Sequence, residues 1–256
     1  MTRMDDSRSR RDVKSRLEEA ARSPAERERY TAGVPLSKLI PYRLSELPEI
    51  VMLRRPRSLA AARFRDCVTE LAALQGGFPQ VIAVTSPGAA EGKSLICVNL
   101  ALAMAAGGEG DVLLLNADFR GASIDGWIRP APKVGLAEML RGETELEHVV
   151  LDLQNAPLKV LPAGAPPAEP AALLAAGSGE PLLRDLRRRF ARIVIDTPPV
   201  EECNDADVIG GWSDGILVVV RAHRTRESSF VRTLSSIGSV RVLGTVLNDE
   251  ADTSSD

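Results

Sequence analysis

The sequence predicts an α/β fold in which a mostly parallel sheet carries helices on both faces. Three observations lead there. From residue 80 onward, short apolar, β-branched runs alternate with helical stretches, the pattern of strands joined by crossover helices. Several of these runs are apolar at consecutive rather than alternate residues, as strands covered on both faces require. The first run leads through a small-residue loop into Gly92-Lys93-Ser94 and an apolar helix. A helix N-terminus is thereby aimed at the carboxyl end of the sheet, where such folds bind ligands.

Taken in order, residues 1–57 read as a basic, polar, partly disordered arm. Within it, Ser23-Pro24-Ala25-Glu26 has a hydroxyl, a proline and an acid at the spacing of a helix start, so a short helix is expected near 24–30. Pro35, Pro41, Pro48 and Pro56 break any long helix, and 31–57 reads as an extended wrap or linker. Residues 58–75 are rich in Ala and Leu and read as a helix, which Gly76-Gly77 ends. Strands are expected at Val81–Thr85, Val112–Leu115, Lys159–Leu161, Arg192–Ile195, Ile216–Val220 and Val240–Leu247. Helices are expected at 93–106, 134–141, 170–176, 181–190, 203–210 and 225–237. Residues 58–250 form the expected nucleotide-binding domain, and 251–256 a short acidic tail.

Composition narrows the function. The 256 residues are 44% apolar and 26% charged, ordinary for a globular chain. Residues 1–65 carry 16 Lys and Arg against 9 acids, a charge of +7, and residues 66–256 carry 16 against 26, a charge of −10. So acidic a body is no nucleic-acid binder by composition. No stretch approaches the roughly 18 apolar residues of a membrane span, so the chain is expected to have no transmembrane segment of its own. The charged N-terminus has no apolar core, which excludes a secretory signal. Three scattered cysteines, Cys67, Cys97 and Cys203, fit no zinc spacing and point to a reducing cytosol. His148 and His223 stand apart, which argues against a Ser-His-Asp site.

Residues 81–105 carry the strongest chemistry. A helix N-terminus offers unpaired N–H groups and a positive dipole end. Gly92 lets the backbone approach phosphate, Lys93 can reach the β- and γ-phosphates, and the Ser94 hydroxyl can ligate Mg²⁺. The usual phosphate loop has Gly four residues before the Gly-Lys pair; here Pro87 stands there, with Gly88 beside it. Gly88, Glu91, Gly92, Lys93, Ser94 and Leu95 are the candidate nucleotide contacts. A second strand ends in Asn116-Ala117-Asp118-Phe119-Arg120. Asp118 either holds Mg²⁺ or is a strand-end turn residue, and Arg120 suits a phosphate or a partner acid. A third strand ends in Asp196-Thr197-Pro198-Pro199, where Asp196 suits a Mg²⁺-facing role. Asn204 and Asp205 are expected to cap the next helix, Cys203 to be a bystander, Arg187-Arg188-Arg189 to form a solvated face, and Trp127 and Trp212 to pack.

These segments resemble the bacterial tyrosine kinase (BY-kinase) family, cytoplasmic ATP-binding domains that work with polysaccharide co-polymerases in capsule and exopolysaccharide export. The resemblance runs from about 58 to 248 through TSPGAAEGKS (85–94), LLLNADFRGAS (113–123), GLAEMLRG (135–142), VLPAGAPPAEPAALL (160–174), IVIDTPPVEECNDAD (193–207), DGILVVVR (214–221) and VLGTVLN (242–248). It implies a P-loop NTPase fold that binds ATP and Mg²⁺. Lys93, Asp118 and Asp196 are then the catalytic residues, Ser94, Asp118 and Asp196 the metal-facing ones, and Asn248 either meets adenine or is a turn residue. It implies a membrane-embedded co-polymerase as partner, a homo-oligomer, and a cytoplasmic place at the inner face of the membrane.

Four departures from the family pattern stand out. Asn116 replaces the first acid of Asp-x-Asp, and an amide accepts no proton at neutral pH. Ala89-Ala90 replaces Pro-Gly in the phosphate loop. The only tyrosines are Tyr30 and Tyr42, whereas the family's tail is tyrosine-rich. Of the ring-forming Glu-x-x-Arg-x-x-Arg, placed at Ala62, Arg65 and Val68, only Arg65 remains. The expectation is an ATP-binding regulator of polysaccharide biosynthesis and export with reduced kinase activity. The alternative is a partition- or positioning-type P-loop ATPase, which usually has a further lysine where Gly88 stands.

Overall fold

The computed structural model describes residues 41–249, apart from 109, 122 and 239. Strand β1 (Arg43–Leu44) and helices α1 (Val51–Arg54) and α2 (Leu59–Ala72) lead into β2 (Val81–Thr85), α3 (Lys93–Ala106) and β3 (Val112–Asn116). There follow α4 (Ser123–Trp127), β4 (Ile128–Arg129), α5 (Leu136–Leu140), α6 (Leu146–Val149), β5 (Leu151–Asp152) and β6 (Lys159–Leu161). Helices α7 (Pro170–Ala175) and α8 (Gly179–Arg189), β7 (Arg192–Asp196), α9 (Asp205–Gly211), β8 (Gly215–Arg221), α10 (Glu227–Ser236) and β9 (Val242–Asn248) complete the chain.

The main sheet has the order β5-β6-β3-β7-β2-β8-β9, parallel throughout except for the β5–β6 pair. The fold class is the expected one. β2 and β3 are buried at every position, and the period of 2 divides their side chains between two cores. Val112 and Leu114 join Ile82, Val84 and the buried face of α3 on one side. Leu113 and Leu115 join Ile193, Ile195, Leu136 and Leu186 on the other. Helix α2 starts where Ser58 Oγ accepts the Ala61 N–H at 3.2 Å. It is followed by Gly76 and Gly77 at φ +101° and +85°, a left-handed backbone that costs glycine nothing.

The described part of the segment expected as a wrap, residues 41–57, is integrated into the body. Tyr42, Leu44 and Ile50 lie in the same core as α3, and each such side chain contributes about 1.5–3 kcal/mol when fully buried. Two amides clip it down. Asn99 of α3 donates to the Glu49 carbonyl and accepts from the Met52 N–H, both at 3.0 Å. Asn155 accepts from Leu44 N and donates to Leu44 O, at 2.9 and 2.8 Å. β1 also pairs antiparallel with β4. The expected helix near 24–30, Tyr30 and the acidic tail lie outside the described residues.

At the carboxyl edge the register sets Asn116 beside Asp196, and Asp196 beside Val84, next to the last residue of β2. The ends of β2, β3 and β7 are thus neighbours, with the loop before α3 above them.

Candidate nucleotide-binding site

The loop between β2 and α3 is shaped by its own polar groups. Ser86 Oγ donates to Gly88 O at 2.8 Å, and Gly88 N–H donates to Glu91 Oε1 at 3.2 Å. Gly92, at φ +90°, turns the chain into α3 with no side chain capping the helix, so its first-turn N–H groups face the loop without a side-chain acceptor. A Cβ on Gly92 would fall 2.1 Å from Asn248 Nδ2, so a side chain there would have to displace the Asn248 amide as well as hold a backbone that favours glycine. That Asn248 amide donates to the Glu91 carbonyl at 2.8 Å. Asn248 therefore ties the end of β9 to the loop. Arg221 adds a second tie, from Nη1 to the Ala90 carbonyl at 3.2 Å. Ala90 itself sits at φ +58°, in the region that favours glycine. Burial holds the Glu91 carboxyl above its ordinary range.

Lys93, Asp118 and Asp196 meet below this loop. Lys93 Nζ lies 2.5 Å from Asp118 Oδ2, 3.3 Å from Asp196 Oδ1 and 3.5 Å from Ser94 Oγ. All four residues are buried. Burial opposes the Lys93 charge, but the two carboxylates outweigh it and raise the ammonium's pKa. For Asp118, burial is overcome by Lys93 and by the N–H groups of Gly121 and Arg120, so its carboxyl lies below the usual range. Asp196, wholly buried, is pushed up by desolvation despite Lys93. Its Oδ2 meets no donor in hydrogen-bond geometry among the described residues, although the nearby Ser94 hydroxyl favours the ionised form. An orphaned carboxylate oxygen of this kind is costly unless a donor or cation completes it. Cys97, one turn beyond Lys93, lies 3.6 Å from Asp196 Oδ1.

One cavity reaches this group, and a second lies between α2, α3 and the end of β9. The first, of about 230 Å³, is lined by Lys93, Ser94, Leu95, Asp118, Trp127 and Pro199. The second, of about 360 Å³, has walls from Leu59, Phe64, Cys67, Ile96 and Leu247, with Asn248 among its lining residues. Burial, helped by Glu70, pushes the Cys67 thiol up to about 11, so it is a neutral wall residue. Trp212 packs as expected, against Gly179, where a Cβ would come within 2.2 Å of its ring. Trp127 packs on the core and also lines the smaller cavity.

Other expectations change. Asn204 stands at the N-cap of α9 but makes no side-chain cap bond. Asp205 is buried and pairs with Arg120 at 3.3 Å, so Arg120 finds a partner acid. Arg187 is a clip rather than a solvated face, reaching Asp214 at 2.7 and 3.1 Å. Asn116 is fully buried and donates from Nδ2 to Asp125 Oδ1 at 2.7 Å. Sequence reasoning missed Asp125, which lies outside the quoted motifs, and Arg221, which closes DGILVVVR but reaches Ala90 across 131 residues.

Among the described residues, no cluster of three or more His, Cys, Asp or Glu side chains could hold a metal alone. Two carboxylates and a hydroxyl, one oxygen orphaned, do fit Mg²⁺, which keeps waters and takes phosphate oxygens.

No family model matches the chain. It is 35% identical over 207 residues to the succinoglycan biosynthesis transport protein ExoP of Rhizobium meliloti, covering 77% of this chain and 26% of that protein. It is 31% identical over 173 residues to the tyrosine-protein kinase CpsD of Streptococcus agalactiae, covering 66% of this chain and 74% of that one. It spans 31% of the tyrosine-protein kinase Ptk of Acinetobacter johnsonii, at 29% identity. The chain thus spans about a third or less of Ptk and ExoP. The VpsO kinase domain superposes with a TM-score of 0.66 at 30% identity, covering 74% of this chain and 94% of that domain. No helix among the described residues is long and apolar enough to cross a membrane. With CpsD matched over most of its length, the chain belongs to the bacterial tyrosine kinase family.

Proposed function

We propose that this chain is an ATP- and Mg²⁺-binding regulator of capsular or exopolysaccharide biosynthesis and export, with reduced tyrosine kinase activity. The observation that carries the reading is the buried Lys93 ammonium set between Asp118 and Asp196 beneath an uncapped helix N-terminus. Bound Mg-ATP supplies the transferable phosphoryl group and the cation that neutralises its charge. Lys93 leaves its carboxylates to meet phosphate, and the first-turn N–H groups of α3 add their dipole. Ser94 and Asp196 hold the cation side, the orphaned Asp196 oxygen gaining a partner there. Asp118 keeps the Arg120 and Gly121 N–H groups on Oδ1, and the departure of Lys93 would free its Oδ2 for the cation side. Leu95, Gly88, Glu91 and Gly92 shape the phosphate cavity, and the larger apolar cavity with the Asn248 amide suits the base.

Reduced kinase activity follows from Asn116. Its amide cannot take a proton, and its two ends are committed to Asp125 and to the Asp118 N–H. A membrane-embedded co-polymerase as partner, a homo-oligomer and a cytoplasmic, membrane-peripheral place go with this role; the role itself is supported by relatives named a succinoglycan biosynthesis transport protein and a tyrosine-protein kinase. The positioning-ATPase alternative is set aside, because the curated relatives above are tyrosine kinases and a polysaccharide transport protein.

Calorimetric titration tests the site. Wild type should bind Mg-ATP with micromolar affinity or better, and Lys93→Met should weaken it at least about 100-fold, or roughly 2.7 kcal/mol. Equal binding by both would remove Lys93 from the site. Robust phosphotyrosine on the purified protein by mass spectrometry would overturn the reduced-kinase part alone.

A further inference from the structure

We propose that Asn116 and Asp125 work as one amide–carboxylate unit that positions Asp118 and the Pro162-Ala163-Gly164 turn together; the idea rests on the Mg-ATP reading of the site. Both ends of the buried Asn116 amide are used. Nδ2 donates to Asp125 Oδ1 at 2.7 Å, and Oδ1 accepts the Asp118 N–H at 3.2 Å. The first bond needs a donor at 116, which an ionised aspartate lacks.

Asp125 carries the contact onward. Ala163 N–H lies 3.2 and 3.0 Å from its two oxygens, and Gly164 N–H lies 3.3 Å from Oδ2. One carboxylate on α4 therefore joins the end of β3 to the turn after β6, the adjacent strand. Glu138 closes the far side of the turn, accepting from Gly135 N at 2.8 Å and Ala165 N at 3.3 Å while pairing with Arg141. Gly164 sits at φ +83°, and a Cβ there would fall 2.7 Å from the Gly135 backbone nitrogen and 2.1 Å from Glu138 Oε2, so the turn packs closely on the start of α5.

The consequence reaches the nucleotide site through one residue. Asn116 holds the Asp118 amide, and the Asp118 carboxylate holds Lys93. A carboxylate at 116 would stand at hydrogen-bond distance from Asp125 with Glu138 close behind. Repulsion between the two would displace both the turn and Asp118. A carboxylate at 116 facing an amide at 125 restores one donor and one charge with the polarity reversed.

The test is a double-mutant cycle read by Mg-ATP affinity, at a temperature where melting curves show every variant folded. Asn116→Asp should weaken binding at least about 10-fold and Asp125→Asn about 5-fold, while the double variant should return to within about 3-fold of wild type. Unchanged affinity in Asn116→Asp, or a double variant as weak as the two losses multiplied, overturns the proposal. If Asn116→Asp does not fold, the double variant decides: near-wild-type folding and affinity support the unit, and failure in either overturns it. A wild type that binds no Mg-ATP would instead sink the reading of the site, a result distinguishable from all of these.

Discussion

At the carboxyl end of the central strands, one ammonium faces two carboxylates; at the amino end, one guanidinium faces one. The amino-end group is saturated. Asp214 accepts from Arg187 at 2.7 and 3.1 Å and from the N–H groups of Gln80 and Val81, both at 2.8 Å. It fixes the starts of β2 and β8 to the end of α8 with no acceptor left over. The carboxyl-end group is unfinished, with Asp196 Oδ2 buried and unpartnered among the described residues. Backbone strain separates the ends as well. Ala90, His223 and Asp249, the described non-glycine residues with positive φ, all follow strands at the carboxyl end. The same ingredients make a clip where every valence is closed and a binding site where one is kept open.

The sharpest way to break this contrast is to make one substitution at both ends. Asp196→Asn should weaken Mg-ATP binding at least about 100-fold, or roughly 2.7 kcal/mol, yet change apo stability by less than about 1 kcal/mol, since it removes a charge that burial disfavours. Asp214→Asn should leave Mg-ATP affinity unchanged but cost about 2 kcal/mol, low in the range for charge-assisted hydrogen bonds. The side chains of the Arg187–Asp214 pair are 29% and 34% exposed, so solvent screens part of the interaction. Calorimetry and urea unfolding on both variants read the four quantities. A stability loss at 196 as large as that at 214 would mean that the two groups are the same kind of structure.

Asp196 and Asp214 should also answer pH in opposite directions, with a smaller effect. Burial opposes ionisation of Asp214, but Arg187 and the Val81 and Gln80 N–H groups outweigh it and hold its carboxyl below the ordinary range. Its stabilisation is therefore complete above about pH 4 and is lost as pH falls through the lowered folded value. Asp196 is displaced upward by burial. Its ionisation costs the fold stability as pH rises from the ordinary carboxylate value through the raised one. Urea midpoints taken from about pH 3 to 8 should show Asp214→Asn with a flatter acid limb than wild type. Those of Asp196→Asn should gain on wild type as pH rises. Parallel curves for all three proteins would remove the distinction.

What the sequence made legible follows the same division. β2 and α3 fall at Val81–Thr85 and Lys93–Ala106, the expected bounds, because an unbroken apolar run and a glycine turn are local signals. Lys93, Ser94, Asp118 and Asp196 converge because each closes or follows a parallel strand whose neighbour the fold class dictates. Contacts made by one polar side chain across long separations left no local signal. Asn99 looks like a defect in an apolar helix, yet it holds residues 49 and 52. Arg187 looks like part of a charged run, yet it closes a clip 27 residues away. Proline spacing showed that 41–57 holds no long helix, but neither the short α1 nor that Tyr42 and Ile50 fill the core. Asn116 was visible as a missing acid, while its partner nine residues on became visible only through α4.

The smallest expected effect concerns whether strain at the site end is costly in itself. Ala90 at φ +58° has its carbonyl held by Arg221, which also pairs with Asp249 at φ +61°. A left-handed alanine costs about 1–2 kcal/mol. Glycine avoids that cost but adds about 0.5–1 kcal/mol of chain entropy to the unfolded state. Ala90→Gly should therefore stabilise the fold by about 0.5 kcal/mol, readable as a shift in urea midpoint at constant slope. Because Arg221 and Asn248 still hold the loop from two sides, Mg-ATP affinity should change by less than about 3-fold. A loss of stability would mean that packing around the Ala90 methyl repays its backbone. A stabilised variant with much weaker binding would mean that the strained alanine, and not the two ties alone, keeps the phosphate loop in its binding shape.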